Sequence, residues 1–166
     1  MSNEQKDGKE RRVNEVLQSF WDTLRGEDAV PAEKDLDVAL IDDIWDSCFM
    51  VEISHGDAKR EYKYSYVGES IVEAYGDDLK GKEVYNQLMG THTRHLLMKF
   101  ETVVRSMQSV TDENEFRNLE GQMIKYRQCL VPFADSADKL SFILGSMTWR
   151  RYSHQELEAQ VEDGDE

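Results

Sequence analysis

The side chains able to carry chemistry here are two cysteines, four histidines, a run of aspartates, and a few tyrosines and an arginine set within apolar stretches. Cys48 and Cys129 form no CxxC pair and no framework of the secreted, disulfide-dense kind. Each stands inside an apolar run, so both read as buried free thiols that pack as small hydrophobes. Asp35, Asp37, Asp42 and Asp43 miss the calcium-loop spacing, which needs oxygens at alternate positions and a glycine at the sixth. They read as loop-solvating and helix-capping groups. His55 falls in a turn and His154 in an acidic tail. At about 100° per residue, His92 sits about 75° from the centre of the apolar face of its helical stretch, at the margin, and His95 roughly 135° away, toward solvent. No GxSxG, HExxH or P-loop spacing occurs, and Glu52 is the main acid on an apolar face. With no catalytic set and no metal set, the expectation is a protein that is not an enzyme.

A binding pocket is a different matter, because such sites need mostly apolar walls with a few polar groups set among them. The candidates are Tyr64 and Tyr66 from one strand, Tyr75 and Met89 from the helical middle, Arg127 and Gln128 from a later strand, and Ser146 from the last. Strand alternation puts Tyr62, Tyr64 and Tyr66 on one face and turns Arg127 away from Tyr126. Arg127 is either a partner for an anionic ligand or a surface ion-pair residue.

The net charge of −14 is concentrated in two segments. Residues 22–52 hold ten acids against Arg25 and Lys34, and residues 156–166 hold six acids and no base. No basic stripe is available to neutralise phosphates, so nucleic acid is not an expected partner, and anionic membranes are disfavoured for the same reason. A basic protein surface is a partner these acids could meet; otherwise they serve solubility. No run of about 18 uncharged apolar residues is present, and the first residues lack the apolar stretch of a signal peptide, so a cytoplasmic location is expected.

The elements that must position these groups follow from periodicity. Residues 1–10 are polar and read as disordered, 11–152 as one domain, and 153–166 as an acidic, partly disordered tail. Val13, Val16, Leu17, Phe20, Trp21 and Leu24 repeat at helical spacing over 11–25, with Arg25 and Gly26 suited to stop the helix. Residues 48–53 and 61–68 read as a hairpin, residues 69–110 as helical, and residues beyond 111 as a three-stranded meander. Strands flanking a helical middle predict an α+β domain with an antiparallel sheet. The last strands are apolar on both faces, with Phe142 and Leu144 on one side and Ile143, Met147 and Trp149 on the other. The first helix is therefore expected to cover the second face of the sheet or to pair there with a partner subunit, which makes its six apolar residues candidates for a dimer interface.

The strand ending in Tyr66, Val67 and Gly68 leads to Ile71 and Val72, then Tyr75 and Gly76, then Leu79, Lys80, Gly81 and Lys82. With residues 20–37, 49–53, 127–133 and 140–149, this pattern resembles the PAS superfamily, and within it the short stand-alone PAS proteins common in alphaproteobacteria, across roughly residues 15 to 150. The chain departs from that pattern at Ser65 and Glu69, where relatives carry an arginine and a small hydroxyl residue. The resemblance implies a five-stranded antiparallel sheet in the order 2-1-5-4-3, with helices over one face enclosing a small-molecule cavity, and a role as sensor and dimerising module in signal transduction. That order puts a strand between Cys48 and Cys129, near 10 Å apart at about 4.8 Å per strand, too far for a disulfide. No cofactor is identified from the residues: some PAS domains hold haem through a histidine, and His92 is the residue to test for it, but its marginal place on the helix reads first as a surface or boundary histidine. With no output domain following, the expected role is a homodimeric sensor relaying in trans to another protein, the alternative being a ligand-free adaptor whose acidic segments dock a basic partner.

Overall fold

Apolar side chains recurring every three to four residues need cover along one side of their helix, and Val13, Val16, Leu17, Phe20, Trp21 and Leu24 find it along α1 (Asn3–Arg25). The structure, a computed structural model, describes residues 3–84 and 90–152, with side chains from residue 12 onward. α1 begins at Asn3 where periodicity starts it at residue 11, since Glu, Gln and Lys favour a helix without any apolar stripe to announce it. It stops where expected. Gly26 takes a φ of 57°, and its N–H bonds the Asp22 carbonyl at 3.3 Å.

Two 3-10 segments follow, Glu33–Asp35 and Val38–Ser47, the second broken at Ile41. Then come β1 (Cys48–His55), β2 (Arg60–Val67), α2 (Glu69–Tyr75), α3 (Thr91–Ser106), β3 (Val110–Arg117), β4 (Met123–Ala134) and β5 (Leu140–Arg151). The strands pair antiparallel in the order β2-β1-β5-β4-β3, so the expected α+β architecture and sheet order are present.

The sheet is buried on both faces. On one, α2 and α3 bring Ile71, Ala74, Tyr75, Leu96, Phe100 and Val103 onto Val51, Tyr64, Ile124, Leu130 and Ile143. On the other, α1 and the Val38–Ser47 segment cover Val131, Phe133, Phe142 and Leu144. Of the two outcomes open for α1, the structure shows it on its own sheet: Leu17 is fully buried, Trp21 is 3% exposed, and Trp21 Nε1 donates to the Pro132 carbonyl at 2.8 Å. Leu17 and Trp21 therefore have no surface left for a partner. Val13, Val16, Phe20 and Leu24 are half-buried against the same core.

Two glycines set close approaches. A side chain at Gly145 would occupy the space of the Phe49 ring, and one at Gly68 would strike the Asp46 carbonyl. The second lets the 3-10 segment turn tightly into β1, tied by the Gly68 N–H to the Cys48 carbonyl at 2.9 Å.

Candidate functional site

Polar groups under an apolar lid are costly unless paired, and the helix-covered face gathers several of them. β2 supplies Tyr64, α2 Tyr75, α3 His92, β3 Phe116, and β4 Tyr126 and Gln128; all six are 6% exposed or less. His92 stacks on Phe116 with ring centroids 4.1 Å apart and meets Tyr126 edge-on at 5.5 Å. Its Nε2 is hydrogen-bonded to the Tyr75 hydroxyl at 2.9 Å. Burial, reinforced by nearby His95, pulls the His92 pKa down to about 3, so the ring is neutral at ordinary pH. Burial likewise pushes Tyr64, Tyr75 and Tyr126 well above the usual tyrosine range, helped for Tyr126 by the Asp112 carboxylate. These hydroxyls keep their protons, so each is able to donate as well as accept a hydrogen bond.

The polar edge of this cluster is Asp112 on β3. Its carboxylate, 8% exposed, lies 2.9 Å from His95 Nε2 and 3.8 Å from Lys99 Nζ, and accepts from Gln128 Nε2 at 3.4 Å. This ties α3 to the outer strands. Two atoms are left over: Tyr126 Oη and Gln128 Oε1 are buried with no hydrogen-bond partner. Leaving such a group unmatched costs on the order of 1–3 kcal/mol each, which a bound polar molecule would recover.

The residues expected to form one pocket are split by the sheet. Tyr64, Tyr75 and Gln128 belong to the helix-covered face. Tyr66 does not, because β1 and β2 shift register between Met50 and Val51: Met50 pairs with Tyr66 and Val51 with Tyr64, leaving Ser65 as the extra residue of a bulge. The bulge turns Tyr66 to the α1 side, where it stacks on Trp45 at 4.2 Å and donates to the Trp45 carbonyl at 2.9 Å. Ser146 is also on that side, fully buried, donating to Asn14 Oδ1 at 2.6 Å. Arg127 lies near the edge, its Nε 3.0 Å from Glu113 Oε2, beside an opening of 340 Å³ lined by Asn14, Thr111, Asp112 and Gln128 as well. Met89 lies outside the described residues.

Two groups that sequence spacing misplaces are His92 and His95. His92 is buried rather than marginal, because Tyr75 and Phe116 from two other elements close over it; His95 leans onto Asp112 instead of solvent. Tyr126 was the missed member of the cluster, and its signal was its position on the apolar alternation of β4. The His92 nitrogen a haem iron would take is engaged by Tyr75 and the ring is enclosed by Phe116 and Tyr126, so these residues do not fit a haem. The cysteines are free, each paired in register with Ser146 across β5, and burial raises both thiols to about 12. Glu52 is exposed. Among the described residues no helix is long and apolar enough to cross a membrane.

A family model described as "PAS domain" matches residues 9–148. No curated protein matches the chain. Among solved structures, Drosophila melanogaster Cycle PAS-B with bound ethylene glycol is 14% identical, with 61% of this chain and 99% of that chain covered and a TM-score of 0.46. The light-state LOV domain of the blue-light photoreceptor Aureochrome1 is 10% identical, covering 79% and 99%, with a TM-score of 0.48. The light-state dimer of the fungal photoreceptor Vivid is 13% identical, covering 61% and 77%, with a TM-score of 0.46.

Proposed function

Because the chain belongs to the PAS domain family, we propose that it is a sensor module whose input is a small polar molecule held at Tyr64, Tyr75, His92, Tyr126 and Gln128. The observation that carries this reading is the pair of unpartnered buried atoms, Tyr126 Oη and Gln128 Oε1, beside a neutral histidine. A ligand offering one donor to Gln128 and one acceptor or donor to Tyr126 would complete the hydrogen bonding that the protein leaves unfinished. The output runs through the sheet. β4 carries Tyr126 and Gln128 on one face and contacts α1 on the other, so a shift of β4 changes how α1 sits, and a homodimer formed around the half-buried edge of α1 passes that change to another protein.

A second reading, a ligand-free adaptor, is favoured by the way Phe116 packs against both Tyr75 and His92, at 5.0 and 4.1 Å, filling this part of the core with its own side chain. In that case the acids between 22 and 52 are the working surface and dock a basic partner. Native mass spectrometry separates the two. The sensor reading expects a dimer carrying a small copurified mass that Tyr126→Phe loses; a dimer or monomer with no added mass, unchanged by that substitution, leaves the adaptor.

A further inference from the structure

On the opposite side of β5 lies an opening of 500 Å³, walled by Val13 and Val16 of α1, Leu40, Ile41 and Ile44 of the 3-10 segment, and Met147, Thr148 and Trp149 of β5. It exists because the sheet is incomplete there. β1 begins at Cys48, opposite Ser146, so Met147–Trp149 pair with β4 alone and present an unpaired strand edge. Thr148, 9% exposed, lines this opening, and its Oγ1 is buried and has no hydrogen-bond partner. Leu40 at the rim is 69% exposed.

We infer that this groove is a second small-molecule site, separate from the tyrosine–histidine cluster, taking an uncharged and mainly apolar compound with one carbonyl or hydroxyl group. The volume falls within the range of ligand pockets, about 300–1,000 Å³. The polar lining is balanced: Arg12 is its cation and Asp43 its anion, leaving no net charge to select a charged ligand. Ser70 is already occupied, its Oγ accepting from Trp149 Nε1 at 3.0 Å, so Thr148 is the buried hydroxyl without a partner. The walls come from α1, the 3-10 segment and β5, and a compound seated among them would pin α1 to the sheet. That couples the site to the very helix through which the proposed output runs.

The test is a titration of 15N-labelled protein with cyclohexanol and cyclohexanone, against cyclohexanecarboxylate and cyclohexylamine as charged counterparts. The uncharged pair is expected to shift the amides of Val16, Ile44, Thr148 and Trp149 at millimolar concentration, with the charged pair about tenfold weaker. Thr148→Val should weaken cyclohexanone about tenfold, and Thr148→Ser, which keeps the hydroxyl, should retain it. Shifts centred instead on Tyr75, His92 and Tyr126 would assign the compounds to the other site and overturn this one. So would no shift at all, or equal binding by the valine variant. If sedimentation shows a dimer that Leu40→Glu dissolves while the compounds leave the groove unperturbed, the occupant is a second copy of the chain. Failure here leaves the tyrosine–histidine reading untouched, because that reading is scored by Tyr126→Phe.

Discussion

The two faces of the sheet are built from the same strands and hold different interiors. Under α2 and α3 sit four buried tyrosines, a histidine and a glutamine, with two polar atoms unpaired. Under α1 the core is Leu17, Trp21, Val131, Phe133, Phe142 and Leu144, and the buried Ser146 is bonded to Asn14. One face leaves the hydrogen bonds of a polar cluster for something else to make; the other gives most of its area to holding a helix and leaves Thr148 Oγ1 unpaired at its rim. In a small domain both cores are needed for stability, so each face can take up a ligand only where its polar groups are not all committed.

The largest expected effect lies on the α1 side. Trp21→Ala removes a 3%-exposed indole and its bond to Pro132, and should cost about 3–5 kcal/mol in chemical denaturation. A loss below about 1 kcal/mol would mean that α1 is only loosely docked and that the two faces are not comparable cores.

Next comes acid. His92 titrates near 3 when folded against 6.5 ordinarily, so the unfolded chain takes up a proton that the native chain refuses. Stability from this group is complete above about pH 6.5 and falls toward pH 3 at up to about 1.4 kcal/mol per pH unit. Urea midpoints of wild type and His92→Gln should therefore converge as the pH drops from 7 to 4. Parallel profiles would show that the ring is solvated.

Smaller effects come from hydroxyls. Tyr126→Phe removes an unpaired group and should leave stability equal or raise it by up to about 1 kcal/mol, whereas Ser146→Ala breaks a made bond and should cost about 1 kcal/mol in the same assay. Equal losses would erase the contrast between the faces. Smallest of all, Arg127→Ala should change thermal stability by under about 0.5 kcal/mol, since its pair with Glu113 is exposed.

Much of this was legible in the residues. The apolar stripe of α1, the Gly26 stop, the hairpin and the double-sided apolar pattern of β4 and β5 are local or periodic signals, and they imply an antiparallel sheet covered on two faces. Tyr64, Tyr75 and Gln128 could be picked out because polar side chains in apolar runs are visible by type. Tyr66 could not be placed, because the bulge at Ser65 depends on how β1 pairs with β2 and leaves no mark on the alternation Tyr-x-Tyr-x-Tyr. The burial of His92 was equally hidden, since the rings of Tyr75 and Phe116 that close over it come from distant parts of the chain. Period and residue type are properties of neighbouring positions, so the sequence by itself determined the elements and which faces were apolar. Register, and the meeting of side chains from five elements, arise only when those elements pack, so the tertiary structure alone decided which polar groups share a site and which are left unpaired.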